Sequence, residues 1–561
     1  MQEKRTKRFA SIDFLRGSAI WMMIVLHIPM AVYNLSWVYT SMEKAPIILI
    51  LMLVVILYLG SWCGFFLMIS SIGNMISMQN SLNKGKTVRN LVMKQVLGGI
   101  LLLISAWIIE STTGYTGYIG HLLEGYDNIN IMLARGFQME TIHAIAWAVI
   151  INGIIQGFLS INGGYQKPKR NMIIYGILAI IVIMITPIMW NLADKIIPGY
   201  PYAFYDWSGC SSIGYPDYPC YLYRMQYPVF GKSTFWDYLL RFILSPIAGH
   251  PEPLFPFLAV SFIGSIVGIW LTSEKPSKKF LKNGIIISAI LEVLGLIGLI
   301  IMFINGSQDF NSFIDGTWNI HALSAWFPYF ILFTSNQLLS ILLIIRLVEF
   351  RGISKSFAEK TKHFRRFGFI ALTVYNYQYL SLVPRYLLSI LPNIDAVTPN
   401  NLNLLLTFVV LLSVFLLWEI ILRLWEKIDY IGSFEWFISE ASDLILPKSN
   451  IQKEKSEKEQ NRKKKWWKSQ RLNVKKQFYD VDWINLNFYN SNDDSKLALN
   501  ISLLGLLIFP FSIVGLKLAK TSQKNEGINN YNKSAKIISI CGISLFVIIT
   551  IALSLIKGLT L

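Results

Sequence analysis

The 561-residue chain is poor in charge: only 15% of its residues are Asp, Glu, Lys or Arg, whereas 53% belong to the apolar set. Because an ordinary soluble domain carries about 25% charged residues, this composition excludes a soluble enzyme and a free nucleic-acid-binding protein. The chain has only 4 cysteines, which excludes a disulfide framework and a cysteine-rich metal cluster.

Three chemical signatures are also absent from the sequence. It contains no Walker loop, no Gly-x-Ser-x-Gly elbow and no pair of histidines with a carboxylate at metal-ligand spacing. ATP-driven transport, serine hydrolysis and metal chemistry therefore have no motif support, and we expect no metal.

Long apolar runs dominate what is present, and each is long enough to cross a hydrocarbon core of about 30 Å as a helix. The sequence predicts an all-α polytopic membrane protein with about twelve transmembrane helices, ten in one bundle and two in a C-terminal module. The predicted spans are 12–34, 47–78, 90–111, 137–160, 171–193, 253–273, 284–304, 324–347, 367–391, 402–425, 497–519 and 536–557.

Lys and Arg alternate between successive loops, and the N-terminus and the even-numbered loops hold most of them. The positive-inside rule therefore predicts a multi-pass protein of the cell membrane with a cytoplasmic N-terminus. This also offers the first explanation of the net charge of +18. The turn between the last two spans departs from the rule, because the count places Lys524, Lys533 and Lys536 outside.

Composition divides the chain into three parts. Residues 1–425 form the predicted bundle, 426–496 a basic cytoplasmic insert and 497–561 the two-helix tail. The centre of the insert, Arg462–Lys468, mixes cations with tryptophans. A solvated linker and a segment resting on anionic headgroups both remain open, and nucleic acid is not an expected partner.

The external loop 194–252 is rich in Tyr and Trp, which suit either an interfacial belt or stacking against sugar rings. Cys210 and Cys220 bracket its centre. Because disulfides persist outside the cell, we expect these two thiols to be bridged; the alternative is two unpaired thiols.

Ionisable side chains within predicted spans are costly, so each is a functional hypothesis. Arg16 and His27 are eleven residues apart, about three helical turns, and project from one face of the first span. Taken singly, Arg16 could be a snorkelling anchor and His27 a packing residue. Asp13, one turn below Arg16, is its candidate partner.

Depth arithmetic places two histidines at a similar level. His27 lies about 10 Å and His143 about 9 Å below the external surface, with Gln138 and Glu140 just above them. Glu292 lies midway in the seventh span as a candidate partner for a cation. The polar residues predicted to contact a substrate at this level are Gln138, His250, Glu252, Tyr375, Asn376, Gln378 and Arg385.

The first span, Asp13–Ile20 through His27, resembles that of the transmembrane acyltransferases, including the heparan-alpha-glucosaminide N-acetyltransferase-like proteins and bacterial integral-membrane O-acyltransferases. In the latter, an Arg-Gly pair is followed by an essential His eleven residues after the Arg. Arg16 and His27 have the same interval. Three further stretches fit the acetyltransferase-like branch: 136–145; 255–258 with Gly264 and Gly268; and 368–378. The resemblance covers roughly residues 8–425.

One departure concerns the catalytic histidine. The animal lysosomal enzymes have Asn where His27 stands and a catalytic His about eleven residues later, yet 28–46 contains no His here. The resemblance therefore implies that His27, or another histidine such as His143, acts as the base.

The resemblance implies transfer of an acyl group, usually acetyl, from cytosolic acyl-CoA to a hydroxyl or amine of a sugar at the outer side. Acetyl-CoA or another acyl-CoA would be the donor, and membrane lipid and a glycan or lipid-linked sugar the partners; a homo-oligomer is left open. The expected catalytic set is His27, His143 and Glu140. Cations at the cytoplasmic side would meet the CoA phosphates: Arg16, Lys84, Lys86 and Arg89.

Two other classes remain. A transporter or flippase for a lipid-linked sugar or small anion also needs an outward polar cavity, although the two halves of the chain show no inverted repeat. A non-catalytic scaffold anchored by the basic insert is the third.

Overall fold

The computed structural model describes most of the predicted bundle and most of the tail. The described residues are 6–34, 63–112, 118–123, 137, 139–197, 233–249, 252–304, 326–398, 400–445, 474, 478–486, 493–506 and 509–559. They form two compact units: a main unit (Met1–Asn34, Leu59–Ile345 and Ile353–Ile484) and a C-terminal unit (Leu35–Tyr58, Arg346–Gly352 and Asn485–Leu561).

The main unit is helical, which confirms the predicted all-α class. Its helices are α1 (Ala10–Val32), α2 (Cys63–Asn83), α3 (Val88–Thr112), α4 (Tyr118–Leu123), α5 (Thr141–Ser160), α6 (Pro168–Ile196), α7 (Phe235–Ala248), α8 (Leu254–Thr272), α9 (Lys278–Ile304), α10 (Trp326–Val348, whose last residues belong to the C-terminal unit), α11 (Ser354–Lys360), α12 (Lys362–Phe369), α13 (Ala371–Asn376), α14 (Leu382–Leu388), α15 (Leu404–Glu426) and α16 (Phe434–Ile445).

Among the described residues, eight helices are long and apolar enough to cross a membrane. They are α1, α3, α5, α6, α8, α9, α10 and α15. The chain is therefore a multi-pass helical membrane protein, and the count of about twelve spans stays a prediction.

The predicted ninth span, 367–391, is not one helix. It is divided among α12, α13, a 3-10 turn at Gln378–Ser381 and α14. The backbone leaves helical geometry at Ile370 (φ −121°, ψ 48°) and again at Tyr377 (φ −102°, ψ 29°). Breaks inside a membrane bundle require other partners for the freed backbone groups, and the site described below supplies several of them.

Helices α1 and α12 touch backbone to backbone. A Cβ atom built on Gly17 would lie 1.7 Å from the carbonyl oxygen of Phe364, and one on Gly368 would lie 2.8 Å from the nitrogen of Gly17. Small residues permit such close helix crossings in membranes. The glycine in the Arg16-Gly17 pair is thus explained by a neighbouring helix.

The crossing belongs to the main apolar core. Ile24 and Ile28 of α1 and Phe367 of α12 cluster with Val414 and Trp418 of α15, all buried. A second close contact joins α8 to α2, where a Cβ on Gly264 would lie 2.6 Å from the carbonyl oxygen of Met68.

Two short strands tie together distant parts of the chain. Strand β1 (Thr6–Arg8) pairs in parallel with β2 (Val481–Trp483). Beside them the guanidinium of Arg365 lies 4.2 Å from the ring centre of Phe478 and 4.5 Å from that of Trp483, and such stacks are attractive through the cation–π interaction. The part of the predicted insert 426–496 that contains Phe478 and β2 therefore packs within the main unit.

The described residues of the C-terminal unit after 492 form three helices: α17 (Asp493–Gly505), α18 (Phe509–Glu526) and α19 (Asn530–Leu559). The predicted span 497–519 is thus two helices. Helix α17 has 13 residues, about 20 Å, which is too short for a 30 Å hydrocarbon core.

The first turn of α17 lies beside the turn between α18 and α19. Glu526 accepts hydrogen bonds from the backbone nitrogens of Asp494 (2.8 Å) and Ser495 (3.1 Å), and the Asn529 amide donates to the Ser495 hydroxyl at 2.7 Å. Helices α17 and α18 therefore form a hairpin that begins and ends at one level.

Two arginines from the end of α10 and the turn after it meet the same end of the hairpin. Arg346 and Arg351 pair with Asp494 at 3.0 and 3.2 Å. Both cations belong to a loop that the positive-inside rule predicts to be cytoplasmic. If that loop is cytoplasmic, the hairpin predicts that the lysines around Lys524 and Lys533 are cytoplasmic too, in agreement with the positive-inside rule.

We predict that Lys533 faces the cytoplasm and that α19 alone crosses the membrane in the tail. A Lys533→Cys variant in intact cells should resist a membrane-impermeant maleimide and react after permeabilisation, whereas Lys557→Cys should react in intact cells. Peptide-resolved mass spectrometry would measure both, with Lys167→Cys as the cytoplasmic and Asn401→Cys as the external reference. Rapid labelling of Lys533→Cys in intact cells would contradict the hairpin.

We further predict that Gly17→Ala lowers the melting temperature of the detergent-solubilised protein. The new methyl group meets the backbone, which cannot give way cheaply, and overpacking of this kind costs about 1–3 kcal/mol or more. Gly176→Ala in α6 is the matched control, because its Cβ would meet only Ile266 at 3.9 Å. Equal melting temperatures for the two variants would contradict the close crossing.

Candidate functional site

A cavity of about 440 Å³ lies in the main unit between α1, α2, α3, α5, α13 and α16. Its walls are mostly apolar, with polar side chains concentrated at two places. The charged and polar lining residues include Arg16, Lys94, Tyr375 and Glu435.

Arg16 marks one end of the cavity. Its guanidinium packs against α2, since a Cβ on Gly73 would lie 2.8 Å from Arg16 Nη2. The carboxylates of Asp13 and Glu435 both act on its charge. The expected ion pair between Asp13 and Arg16 is wrong, however, because Asp13 pairs with Arg8 at 2.8 Å. Arg16 therefore keeps its guanidinium directed to the cavity.

A second cation at this end was missed by the sequence analysis. All four basic residues here are exposed, but Lys94 lines the cavity, whereas Lys84, Lys86 and Arg89 lie outside its lining. Lys84 and Lys86 occupy the turn before α3, and Lys94 is rotated by about 140° from Arg89 around that helix. The cavity thus presents Arg16 and Lys94 to an anionic ligand.

Glu435, on the first turn of α16, is tied to the break between α12 and α13. Its carboxylate accepts from the backbone nitrogen of Leu372 at 2.7 Å and from the Thr373 hydroxyl at 2.6 Å. The Thr373 hydroxyl oxygen also accepts from the backbone nitrogen of Phe434 at 2.9 Å. Removal from water raises the pKa of Glu435 above its ordinary value. One carboxylate thus satisfies backbone groups freed by the broken helix.

Tyr375 occupies the other end and is surrounded by carboxylates. Its phenol is hydrogen-bonded to Glu110, and the charges of Glu140 and Glu252 also act on it. Glu110 and Glu252 are buried, and Glu252 accepts from the Thr141 hydroxyl at 3.0 Å. Three acidic residues from separate elements therefore meet at the level where the sequence places the external half.

His27 and Gln378 lie outside the lining of the cavity, and Gln378 connects His27 to the backbone of Tyr375. The Gln378 amide nitrogen donates to the carbonyl of Tyr375 at 2.9 Å, which fixes its oxygen toward His27. That oxygen lies 2.6 Å from His27 Nδ1 and can only accept, so Nδ1 carries the proton and the lone pair of the neutral ring lies on Nε2. This is the tautomer of a base that acts through Nε2.

His143 occupies a different environment. The described residues of α5 that line the cavity are Thr141, Ile142, Ile145 and Val149, and His143 lies outside this stripe. It is fully buried, and neither ring nitrogen has a hydrogen-bond partner among the described residues. The structure thus does not bring His143 to the cavity beside Tyr375.

Three other polar residues singled out in the sequence, Arg385, Asn376 and Glu292, lie outside the lining of the cavity. Arg385 donates to the carbonyls of Ala396 (2.8 Å) and Val397 (2.5 Å), so it holds the loop that follows α14. Asn376 is buried outside the cavity lining. Glu292 accepts from the Asn336 amide at 2.5 Å where a cation had been expected.

Four predicted residues lie outside the described residues: Gln138, His250, Cys210 and Cys220. The roles assigned to them, including the disulfide, stay predictions. In the part of the chain that the structure describes, no group of three His, Cys, Asp or Glu residues is arranged to hold a metal ion.

Glu110, Lys94 and Glu435 are the site residues that sequence reasoning missed. Glu110 stands at the end of the predicted third span, so the rule applied to His27 could have found it. Lys94 lay within a basic helix start and could not be distinguished from its neighbours. Glu435 had no local signal, because its role depends on a break 62 residues earlier in the chain.

Comparison of this chain with protein-family models, with curated protein sequences and with solved structures gives no match.

Proposed function

We propose that the chain is an acyl-CoA-dependent transmembrane acyltransferase whose bundle, residues 1–425, transfers an acyl group, acetyl in the first instance, to a hydroxyl or amine of a glycan or lipid-linked sugar. The donor enters from the cytoplasmic side of the cell membrane, where the N-terminus also lies. The observation that carries the proposal is a cavity with cations at one end and Tyr375 at the other, together with a histidine outside the lining that Gln378 orients from the Tyr375 backbone carbonyl.

The cationic end suits the phosphates of CoA. Arg16 and Lys94 both line the cavity, and Arg and Lys are the residues that bind phosphate groups. Arg16 and His27 are separated by about 17 Å along α1, a distance that the extended pantetheine arm of CoA can cover. The apolar walls between them exclude water from the thioester.

His27 is the proposed general base. Its Nε2 would take the proton from the acceptor hydroxyl or amine as that group attacks the thioester carbonyl carbon. Collapse of the tetrahedral intermediate breaks the carbon–sulfur bond, and the CoA thiolate leaves and takes up a proton. Gln378 keeps His27 in the required tautomer. Its oxygen accepts from Nδ1 throughout the reaction and so also stabilises the protonated ring.

Carboxylates at the Tyr375 end support an acceptor that offers hydrogen-bond donors. Glu110, Glu140 and Glu252 supply acceptor oxygens around Tyr375, and hydroxyl or ammonium groups of a sugar donate to such oxygens. We therefore assign Glu140 to binding of the acceptor, in place of the catalytic role expected from the sequence.

A transporter for a lipid-linked sugar or small anion is the second candidate. The broken helix α12–α13–α14 favours it, because discontinuous helices form the substrate sites of many transporters. Proteoliposomes separate the two: radiolabel from acyl-CoA that appears covalently on a membrane glycan supports the transferase, and movement of unmodified solute supports the transporter.

We predict distinct effects for His27→Ala and Lys94→Ala in single-turnover transfer. His27→Ala should lower the rate by about 10²–10⁴-fold, the usual contribution of a general base, with acetyl-CoA affinity nearly unchanged. Arg16→Ala and Lys94→Ala should weaken acetyl-CoA binding measured by calorimetry, and Lys84→Ala is the matched control that should not.

Two outcomes would contradict this assignment. Absence of binding to any short acyl-CoA would remove the enzyme proposal. Full activity of His27→Ala together with loss of activity in His143→Ala would move the base to α5.

A further inference from the structure

Helix α16 covers one side of the cavity with a single face. Glu435, Ile438 and Ser439 line the cavity, and their spacing of three and four residues places them on one stripe of the helix. On another face Phe437 is 54% exposed. The helix therefore covers part of the cavity and is not one of the helices long and apolar enough to span a membrane.

The hydrogen bonds between α16 and α13 are concentrated in the first turn of α16. Glu435 accepts from Leu372 and Thr373, and the Phe434 nitrogen donates to the Thr373 hydroxyl. Two residues of α16 and two of α13 thus form a latch, which we define as Phe434, Glu435, Leu372 and Thr373.

A turn suited to act as a hinge precedes the helix. Asp429, Tyr430 and Gly432 adopt positive φ angles of 57°, 51° and 86°. Tyr430 is buried, and Trp425 Nε1 donates to the carbonyl of Ile431 at 2.8 Å, so the part of the turn next to α15 is fixed. Rotation at Gly432, where an added Cβ would meet no atom within 4 Å, would swing α16 about this fixed point.

Electrostatics connect the latch to the ligand. The Glu435 carboxylate acts on the charge of Arg16, so it serves both the latch and the guanidinium. Arg16 and Glu435 line the same cavity, so a phosphate that pairs with Arg16 would bring negative charge toward the Glu435 carboxylate, and the repulsion would weaken the hold of α16 on α13.

We propose that α16 is a gate over the cavity, held closed by the latch and released when a phosphate-bearing ligand pairs with Arg16. The gate requires only the cavity and an anion. It rests on the proposed function solely for the identity of the natural ligand, an acyl-CoA.

Cysteine reactivity inside the cavity tests the latch without any measurement of acyl transfer. Ser70 of α2 lines the cavity and is half-buried. In a Ser70→Cys protein, the rate of maleimide labelling at position 70, resolved by peptide mass spectrometry, should rise about tenfold or more when Thr373→Val removes the hydroxyl, since hydrogen bonds to charged groups hold the latch. Thr373→Ser should restore the slow rate.

The control is Thr407→Val in α15. It removes an equally buried hydroxyl that bonds only to a carbonyl of its own helix, that of Asn403, and the labelling rate should stay at the starting value. Equal rates with and without Thr373→Val, or an equal increase in Thr407→Val, would overturn the latch.

Inorganic pyrophosphate tests the release step, because it contains the two linked phosphates of CoA without the rest of the molecule and is too small to fill the cavity. It should accelerate labelling at position 70 in the Ser70→Cys protein and have no effect when Arg16→Ala is added. No acceleration, or the same acceleration without Arg16, would overturn release by phosphate. A working gate in a protein that transfers no acyl group would disprove the proposed function and leave the gate standing.

Discussion

The close crossing of α1 and α12 at Gly17 and Gly368 governs the rest of the site. With the two backbones in contact, Arg16 is carried to the cavity between α1 and α2, and the chain after α12 starts next to α1. Eleven residues later on α1, His27 consequently meets Gln378 at 2.6 Å. One contact between two glycines thus sets both the cationic end and the histidine, and side chains at either position would force the helices apart.

The broken helix that follows the crossing has its own requirement, since freed backbone groups inside a membrane bundle must find partners. Glu435 accepts from the nitrogen of Leu372, and the Gln378 amide donates to the carbonyl of Tyr375. Both partners also belong to the site, because Glu435 acts on the charge of Arg16 and Gln378 orients His27. The side chains that satisfy the broken helix are therefore the same ones that contact the residues to which the proposal assigns catalysis and phosphate binding.

Much of the helical architecture was predictable from the sequence, since apolar runs of about 20 residues have few alternatives. The search for ionisable and polar residues inside predicted spans also found His27, Tyr375 and Gln378, which the structure brings together. The break at Ile370 and the division of the predicted span 497–519 into α17 and α18 were not predictable, because hydropathy averages across them. That Lys94 and not Lys84 lines the cavity depended on the rotation of α3, which the sequence does not fix. That Asp13 pairs with Arg8 and not with Arg16 depended on the position of strand β1.

The most direct measurement of the central claim is an electron cryomicroscopy structure with a non-hydrolysable acetyl-CoA analogue. The account predicts that the phosphates lie at Arg16 and Lys94 and that the acyl end points toward Tyr375 and His27. An analogue bound with its phosphates at Lys84, Lys86 and Arg89 and its acyl end outside the cavity would contradict it.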